Sequence, residues 1–306
     1  MAINTLATAI LFQQTLDLLA QQEALTGWMD ANAGQVKYSG GAEVKIPKLS
    51  LDGLGDYDRD NGYVQGSVNL EYETRKMTQD RGRKFTLDAV DVDETNFIAT
   101  ASTVMGEFQR VNVIPEIDAY RLSALATVAI NKGTNVKYGY TPTEETILRE
   151  IKTGIKRIQD AGYNGPLVIH ANGDTCLELE MAMAGKLTSV TFSQAGIDTT
   201  VPAVDKVPII NTPQNRMYTA IQLFDGKTEG QKKGGYAKGT TAKDVNFIIV
   251  PKVTPIAITK QDVMRIFDPM TNQDANAWAM DYRRFHELWV KDNSEEFIYT
   301  NIKDAE

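Results

Sequence analysis

Residues 42–90 read AEVKIPKLSLDGLGDYDRDNGYVQGSVNLEYETRKMTQDRGRKFTLDAV, and the interpretation of the whole chain starts from this stretch. Apolar residues alternate with polar ones at Val44 and Ile46 and again at Val68, Leu70 and Tyr72, on either side of a segment rich in Gly and Asp. This pattern predicts a β-hairpin with one covered face. An arm of about 20 residues would reach roughly 60 Å, and an isolated hairpin of that length is barely stable in water. We therefore expect the arm to lie on another surface and to hold neighbouring molecules.

Opposite charges lie at the two ends of this predicted arm. Its outer end carries Asp52, Asp56, Asp58 and Asp60, and the returning limb carries Arg75, Lys76, Arg81, Arg83 and Lys84. Complementary charges between copies steer encounter and fix register more than they add affinity. The predicted inter-subunit contacts are therefore Asp56, Asp58, Asp60, Arg75, Arg81, Arg83 and Lys84. A solvated surface without a partner is the alternative.

Composition limits the possible classes of protein. A chain of 306 residues can bury a substantial core in one large domain or two. The net charge of −8 argues against nucleic-acid binding by phosphate neutralisation, which needs an excess of Lys and Arg. Cys176 is the only cysteine, so neither an internal disulfide nor a metal site built from thiolates is expected.

The first 28 residues were compared with a secretory signal. They lack a basic leading region, and Gln and Asp interrupt the apolar run early. No stretch approaches the roughly 20 apolar residues of a membrane span. We therefore expect no membrane partner, and a product that stays in the cytoplasm or leaves by lysis.

Helical periodicity dominates the first half of the chain outside the arm. It predicts an amphipathic helix over residues 6–31 and a second helix that begins near Asp93 and is interrupted at Pro115. The second helix should end at Lys132-Gly133, giving one long kinked spine. A further helix should begin with Thr141 as N-cap and carry its buried face at Ile147, Ile151, Ile155 and Ile158 as far as Gly162.

The second half of the chain alternates between short strands and one helix. Strands are predicted at 166–169, 207–211, 218–224 and 245–250, a helix at 174–184, a mobile loop at 226–235, and two or three strands over 277–301.

Catalytic and ligand-binding patterns are weak. Neither His170 nor His286 is paired with a nucleophile by any sequence pattern, so structural roles are expected, and Cys176 is expected to be a small buried residue. We predict no catalytic, cofactor-binding or metal site and no enzyme activity.

Three further patterns fail on inspection. The stretch 56–62 resembles a calcium loop, but Asn61 and Ser67 occupy the places that need Gly and Glu. Thr240 replaces the lysine that a phosphate loop over 234–240 would need. Asp88, Asp91, Asp93 and Glu94 are interpreted as helix-capping and hinge residues rather than as paired carboxylates.

The order of elements, together with residues 53–68, 78–96 and 107–123, resembles the major capsid proteins of tailed bacteriophages, in particular those of phages of Gram-positive hosts. These stretches read GLGDYDRDNGYVQGSV, TQDRGRKFTLDAVDVDETN and EFQRVNVIPEIDAYRLS. The resemblance implies an α+β Hong Kong 97-type capsid fold with an N-terminal arm, an extended β-hairpin loop, a long spine helix, and peripheral and axial domains. It covers essentially the whole chain and carries no catalytic motif.

The resemblance implies domain boundaries and partners. It places the N-terminal arm at 1–40, the extended loop at 41–92, the peripheral domain at 93–133 and 259–306, and the axial domain at 134–258, with loop 226–243 as a candidate for contact around the five-fold and six-fold positions. The expected product is a homo-oligomer of pentamers and hexamers, an icosahedral shell that encloses double-stranded DNA without sequence-specific binding. Portal and decoration proteins are further expected partners, and the virion, assembled in the host cytoplasm, is the expected location.

Two known features of some family members are not expected here. Because the sequence begins directly with the arm at Met1, we expect a separate scaffolding protein rather than a cleaved N-terminal segment. Lys45 and Lys48 lie on the arm, but no complete set of Lys, Asn and assisting Glu can be placed, so we expect non-covalent shells.

Two other functions remain open at this point. The first is an encapsulin-type compartment with the same fold that holds a protein cargo. The second is an enzyme whose substrate-binding domain is 134–258, with a pocket lined by His170 or by Asp174 and Glu178.

Overall fold

The computed structural model describes residues 24–38, 43–60, 62–88, 104–184, 188–194 and 197–306. No helix in these ranges is long and apolar enough to cross a membrane.

Fifteen strands and three α-helices have both ends in the described part of the chain, and residues 104–108 are α-helical as well. The strands are β1 (Lys37–Tyr38), β2 (Glu43–Leu51), β3 (Val68–Lys76), β4 (Gln79–Asp88), β5 (Val136–Lys137), β6 (Leu167–Ala171), β7 (Thr188–Gln194), β8 (Ile197–Val204), β9 (Val207–Asn211), β10 (Ile221–Leu223), β11 (Tyr236–Lys238), β12 (Val245–Pro251), β13 (Ile256–Phe267), β14 (Ala277–Trp289) and β15 (Tyr299–Ile302). The α-helices are α1 (Ile114–Lys132), α2 (Ile147–Asp160) and α3 (Gly173–Ala182).

These strands form four sheets. The largest has seven strands in the order β5-β15-β12-β6-β9-β8-β7. Two three-stranded sheets have the orders β1-β2-β3 and β13-β14-β4, and β10 pairs with β11 alone. The predicted hairpin is therefore shorter than residues 42–92: β2 and β3 form it, whereas β4 leaves it and pairs with β14.

Helices cover both faces of the seven-stranded sheet. All seven residues of β12 and all five of β6 are buried, as expected for central strands. Along β12 the side chains alternate between two cores: Ile248 and Val250 pack with the α1 residues Leu122 and Leu125. Phe247 and Ile249 belong to the other core, with the α2 isoleucines at 147, 151, 155 and 158. The predicted buried face of α2 and the strand predicted at 245–250 are thus confirmed.

The predicted spine helix is confirmed from residue 104, where the described part of it begins, to Lys132. A π-helical turn over Gln109–Val113 precedes α1, which has Pro115 in its first turn. Gly133 ends the helix with φ +72°, a left-handed conformation that glycine adopts without strain. The predicted start near Asp93 lies outside the described residues. Most of the predicted helix 6–31 also lies outside them, and its described end overlaps a 3₁₀-helix over Gly27–Gln35.

The predicted start of α2 is wrong. Thr141 is not its N-cap; the helix begins at Ile147, with Thr146 preceding it. The Thr143 carbonyl accepts hydrogen bonds from the amides of Thr146 and Ile147, and the Thr143 hydroxyl bonds the Thr146 hydroxyl at 2.7 Å. Thr143 therefore closes a turn before the helix instead of lying within it. Gly162, with φ +104°, follows the helix end as predicted.

Other boundaries differ by smaller amounts, and one strand was missed. Helix α3 begins at Gly173 because the Asn172 side chain accepts a hydrogen bond from the Thr175 amide. The strand predicted over 218–224 shortens to β10. The stretch 277–301 holds one 13-residue strand, β14, then a 3₁₀-helix and β15, which belongs to the other sheet. The twelve-residue strand β13 was not predicted.

Candidate assembly surfaces

The arm, residues 43–76, has two chemically different faces. Residues directly opposite each other in an antiparallel pair share a face. Leu49 is opposite Leu70 and Leu51 is opposite Val68, with Tyr72 next on the same side. We call these five residues the apolar arm face. Ser50 opposite Asn69 and Lys48 opposite Glu71 lie on the other side and make it polar.

The apolar arm face is open to solvent. The exposed fractions are 55% for Leu49, 62% for Leu51, 71% for Val68, 53% for Leu70 and 54% for Tyr72. At the tip, Tyr57 and Tyr63 stack edge to face with ring centroids 5.0 Å apart. The prediction of a single covered face is therefore wrong. Val44 and Ile46 lie on the opposite side of the hairpin and are buried, whereas Val68, Leu70 and Tyr72 are not covered within this chain. Contiguous apolar surface of this kind marks an interaction site.

The root of the arm is fixed to the body of the chain. Val44 and Ile46 are buried with Ile258 and Trp289. Beside them the Asp292 carboxylate accepts hydrogen bonds from Lys48 at 2.9 Å and Arg75 at 3.1 Å. The hydrogen bond from Lys48 lowers the pKa of Asp292. Thus Arg75, and the arm lysine Lys48, have partners within the chain.

A buried carboxylate holds the link between β3 and β4. Glu287 accepts hydrogen bonds from the Thr78 amide at 2.9 Å and the Thr78 hydroxyl at 2.6 Å. The Tyr120 hydroxyl also donates to Glu287, and burial together with this bond raises the pKa of Tyr120. The arm leaves the body from a point tied to both β14 and the spine helix.

The other basic residues predicted as inter-subunit contacts are on β4 and also have partners in the same chain. Arg81 binds both oxygens of Glu116, at 2.7 and 3.0 Å, and donates to the Phe224 carbonyl. Arg83 donates to the Lys232 carbonyl at 3.1 Å, and Lys84 pairs with Asp274 at 2.8 Å.

The predicted acidic contacts lie at the arm tip, between β2 and β3, and not on β4. Asp56, Asp58 and Asp60 are exposed, and Asp58 forms an isolated bridge with Gly62. The Asp52 carboxylate accepts a hydrogen bond from the Ser67 amide and closes the base of the tip. The fold therefore keeps the acidic and basic groups on separate elements, and their contact with neighbouring copies stays a prediction.

A buried ion cluster on the spine helix was missed by the sequence analysis. Asp118, with no exposed surface, accepts hydrogen bonds from the amides of Leu25 and Thr26, from the Thr26 hydroxyl, and from Arg216 at 2.9 Å. Arg121, 1% exposed, binds Asp30 and the Thr26 carbonyl. Asp118 and Arg121 lie on the same helix face as the apolar residues Leu122 and Leu125. This spacing is the sequence signal that could have indicated their burial.

His170 occupies a structural position. It is fully buried, its Nε2 accepts a hydrogen bond from the Trp28 indole at 3.2 Å, and its Nδ1 lies 3.3 Å from the Thr212 hydroxyl, which itself donates to the Ile210 carbonyl. The ring is thus neutral with its proton on Nδ1. Burial lowers its pKa to about 3. Both nitrogens are occupied, as the prediction of a structural histidine requires.

The remaining candidate site residues are Cys176, Asp174 and Glu178. Burial raises the pKa of Cys176 to about 12, as expected for an unreactive thiol. Asp174 lines a cavity with Asn211 and Gln214 and lies 3.7 Å from Lys303. Glu178 is half-buried on α3.

The structure also shows where the rejected metal-binding, phosphate-loop and paired-carboxylate patterns lie. Within the described ranges, no three acidic, His or Cys side chains are grouped so that they could hold a metal ion. The stretch 234–240 contains strand β11, not the helix start that a phosphate loop needs. Asp88 ends β4, and residues 91–94 lie outside the described ranges.

Comparison with known proteins gave structural matches only. No protein-family model and no curated protein sequence matches the chain. The capsid of cyanophage P-SCSP1u is similar with a TM-score of 0.57 at 10% identity, over 87% of this chain and 84% of that one. The mature capsid of bacteriophage PhiM1 gives 0.54 at 9% identity, over 86% and 82%.

A virus-like particle from Pyrococcus furiosus is also similar, with a TM-score of 0.50 at 10% identity over 90% of this chain and 97% of that one. At such identities the likeness concerns the fold. The chain therefore has the Hong Kong 97-type fold of tailed-phage capsid proteins.

Proposed function

We propose that this chain is the major capsid protein of a tailed bacteriophage, which forms pentamers and hexamers of an icosahedral shell around double-stranded DNA. The observation that carries the proposal is the apolar arm face, which a single chain leaves exposed on a hairpin whose root is fixed by Asp292 and Glu287. The fold, shared with phage capsids, supports the same function.

The apolar arm face supplies a physical basis for assembly. Full burial of a Val or Leu side chain contributes about 1.5–3 kcal/mol, so partial cover of five such residues by a neighbour gives a weak contact. A closed shell uses the same contact at symmetric and near-symmetric positions, and many weak contacts then act together.

The proposal extends to the domains and partners expected from the sequence. Residues 1–40 would be the N-terminal arm, 41–92 the extended loop, 93–133 with 259–306 the peripheral domain, and 134–258 the axial domain. A separate scaffolding protein would guide assembly in the host cytoplasm, and portal and decoration proteins would join the shell in the virion. No catalytic, cofactor or metal site is assigned.

Charged contacts between copies form a second part of the proposal. The tip carboxylates at 56, 58 and 60 would face the neighbouring copy. Arg75, Arg81, Arg83 and Lys84 would contribute while retaining their partners in the same chain. Because exposed ion pairs contribute about 0–1 kcal/mol each, they would set register rather than hold the shell.

Electron microscopy and light scattering of the purified chain test the proposal. The double variant Leu49→Asp/Leu70→Asp places two charges on the apolar arm face at directly opposite positions. The matched control Ser50→Asp/Asn69→Asp places the same charges one residue away on the polar face. With a candidate scaffolding protein added if the wild type needs one, we expect shells, tubes or rings from the wild type and the control, and folded single subunits from the first variant. Equal assembly of both variants would contradict the proposed role of this face.

An encapsulin-type compartment is the second candidate, favoured by the similarity to the Pyrococcus furiosus virus-like particle. Such a compartment would have the same fold and the same apolar arm face, but it would enclose a protein cargo instead of DNA. Particles purified from an expressing cell would contain a defined protein cargo in that case. DNA packaged in particles from an infected host would support the phage capsid.

A further inference from the structure

A cavity of about 310 Å³ lies where three parts of the chain meet. Strand β4 contributes Arg81 and Arg83, the spine helix contributes Glu116, and the loop between β10 and β11 contributes Lys227 and Lys233. The cavity therefore lies between the β13-β14-β4 sheet and the loop that joins β10 to β11. Arg81 and Arg83 are also proposed above as inter-subunit contacts, but no ligand is assigned there to the cavity.

Two of the carboxylates in the lining are fully engaged by arginines. Glu116 binds Arg81 through both oxygens, and Asp80 binds Arg283 through both oxygens at 2.8 and 2.6 Å. These pairs are closed by two parallel hydrogen bonds, the strongest geometry for a carboxylate and a guanidinium. Neither carboxylate is left to balance another cation.

The third carboxylate, Asp225, is used by the loop itself. It accepts hydrogen bonds from the amides of Lys227 and Thr228 and from the Thr228 hydroxyl. These bonds lower the pKa of Asp225 to about 2, and they fix the start of the loop.

Three cationic side chains in the lining remain without an ion pair in the described part of the chain. Arg83 donates to the carbonyl of Lys232, and within the described ranges no salt bridge joins Lys227 or Lys233 to a carboxylate, although Lys227 interacts electrostatically with Asp225. Positive charge concentrated in a concave, partly enclosed surface attracts anions.

We propose that this cavity binds a small free oxyanion of the size and charge of phosphate. Arg83 would offer the paired donors that match an oxyanion, and Lys227 and Lys233 would add positive charge from the loop. Because the cations come from β4 and from the loop, the bound anion fastens residues 225–235 to β4.

Calorimetric titration of the full chain with inorganic phosphate tests this, at constant ionic strength maintained with sodium chloride and under conditions where the chain is a single subunit. We expect saturable binding that Arg83→Gln and Lys233→Gln each weaken about tenfold, the effect of losing one charge-assisted hydrogen bond. The control Lys152→Gln removes an exposed lysine of α2 and should bind phosphate as the wild type does.

Hydrogen exchange gives a second readout that does not depend on the variants. Phosphate should slow exchange of backbone amides in 225–235 while leaving α2 unchanged. Absence of saturable binding, or an equal loss of binding in all three variants, would overturn the proposal. Neither result bears on assembly, because the measurement uses the free subunit.

Discussion

Strands β12 and β3 both carry apolar side chains, with opposite outcomes. Both carry apolar residues at strand spacing, yet all seven residues of β12 are buried and none of the nine residues of β3 is. Strand β12 lies between β15 and β6 with a helix layer on each face, whereas β3 is the edge of the arm sheet. An apolar pattern alone therefore does not decide whether a strand is buried within its own chain; its neighbours in the fold do.

The pairing within the arm shows that its apolar residues are not scattered. Leu49 opposite Leu70 and Leu51 opposite Val68 place apolar against apolar on one face, while Ser50 and Asn69 pair on the other. The body completes its core within one chain, and the arm leaves its own core incomplete. Four changes test this contrast.

The largest expected effect is at the ion cluster of the body. Asp118→Ala leaves Arg216 and two backbone amides without their buried acceptor, which should lower the free energy of unfolding by about 3–5 kcal/mol. Urea unfolding of the free subunit measures this. The control Glu107→Ala removes one partner of an exposed pair with Arg110 and should cost at most about 1 kcal/mol. Similar losses for both would mean that Asp118 is not the buried anchor described here.

Truncation in β12 tests the body's side of the comparison. Ile249→Ala should destabilise the free subunit by about 2–5 kcal/mol, because its side chain is fully buried between α2 and Tyr299 and the space cannot collapse freely. Chemical denaturation measures this loss. An unchanged dependence of the unfolding free energy on denaturant concentration would show that only stability changed. A loss under 1 kcal/mol would contradict the close packing of this core.

Acid should weaken the body through its histidines. The folded-state pKa of His170 is lowered to about 3, below the unfolded value of 6.5, so the unfolded chain binds more protons between these values. Stability is fully present above pH 6.5 and falls as the pH drops toward 3, by up to about 1.4 kcal/mol per pH unit for this one group. His170→Gln should flatten the slope measured between pH 6.5 and 5 by about one proton, whatever its effect at pH 7. An unchanged slope would contradict the buried neutral ring.

The smallest effect on stability is expected in the arm. Leu70→Ala should change the free energy of unfolding of the free subunit by no more than about 0.5 kcal/mol, because the side chain is half exposed and packs on no core. The same variant should raise the protein concentration needed for assembly, measured by light scattering. Strong destabilisation of the free subunit would break the comparison, since the face would then be part of the chain's own core.

Elements with a complete core in one chain were the ones predictable from the sequence. The isoleucine face of α2, the buried run of β12 and the glycine that ends the spine helix follow from periodicity and local backbone preference. Strand β13 was missed because it is a sheet edge: Lys260, Gln261 and Asp262 interrupt its apolar residues, as is usual for protected edges.

The functional surfaces were predictable only in part. The arm was recognised from its alternation, but the separation of β4 from the hairpin depends on pairing with β14, about 200 residues away in sequence, which no local pattern shows. The ion cluster was missed because the partners of Asp118 and Arg121, Thr26 and Arg216 among them, are distant in the chain. The cavity beside Arg83 likewise depends on three separate segments.

The exposed arm face also determines how ionic strength should act on the subunit in solution. Each copy carries a net charge of −8, so dissolved copies repel one another while their arms offer an apolar contact. The screening length falls from about 30 Å at 0.01 M salt to about 10 Å at 0.1 M, which weakens the repulsion and leaves apolar burial intact. Added salt should therefore favour association, the reverse of what an assembly held by arm-tip ion pairs would show, and dilute buffer should keep the subunits dispersed.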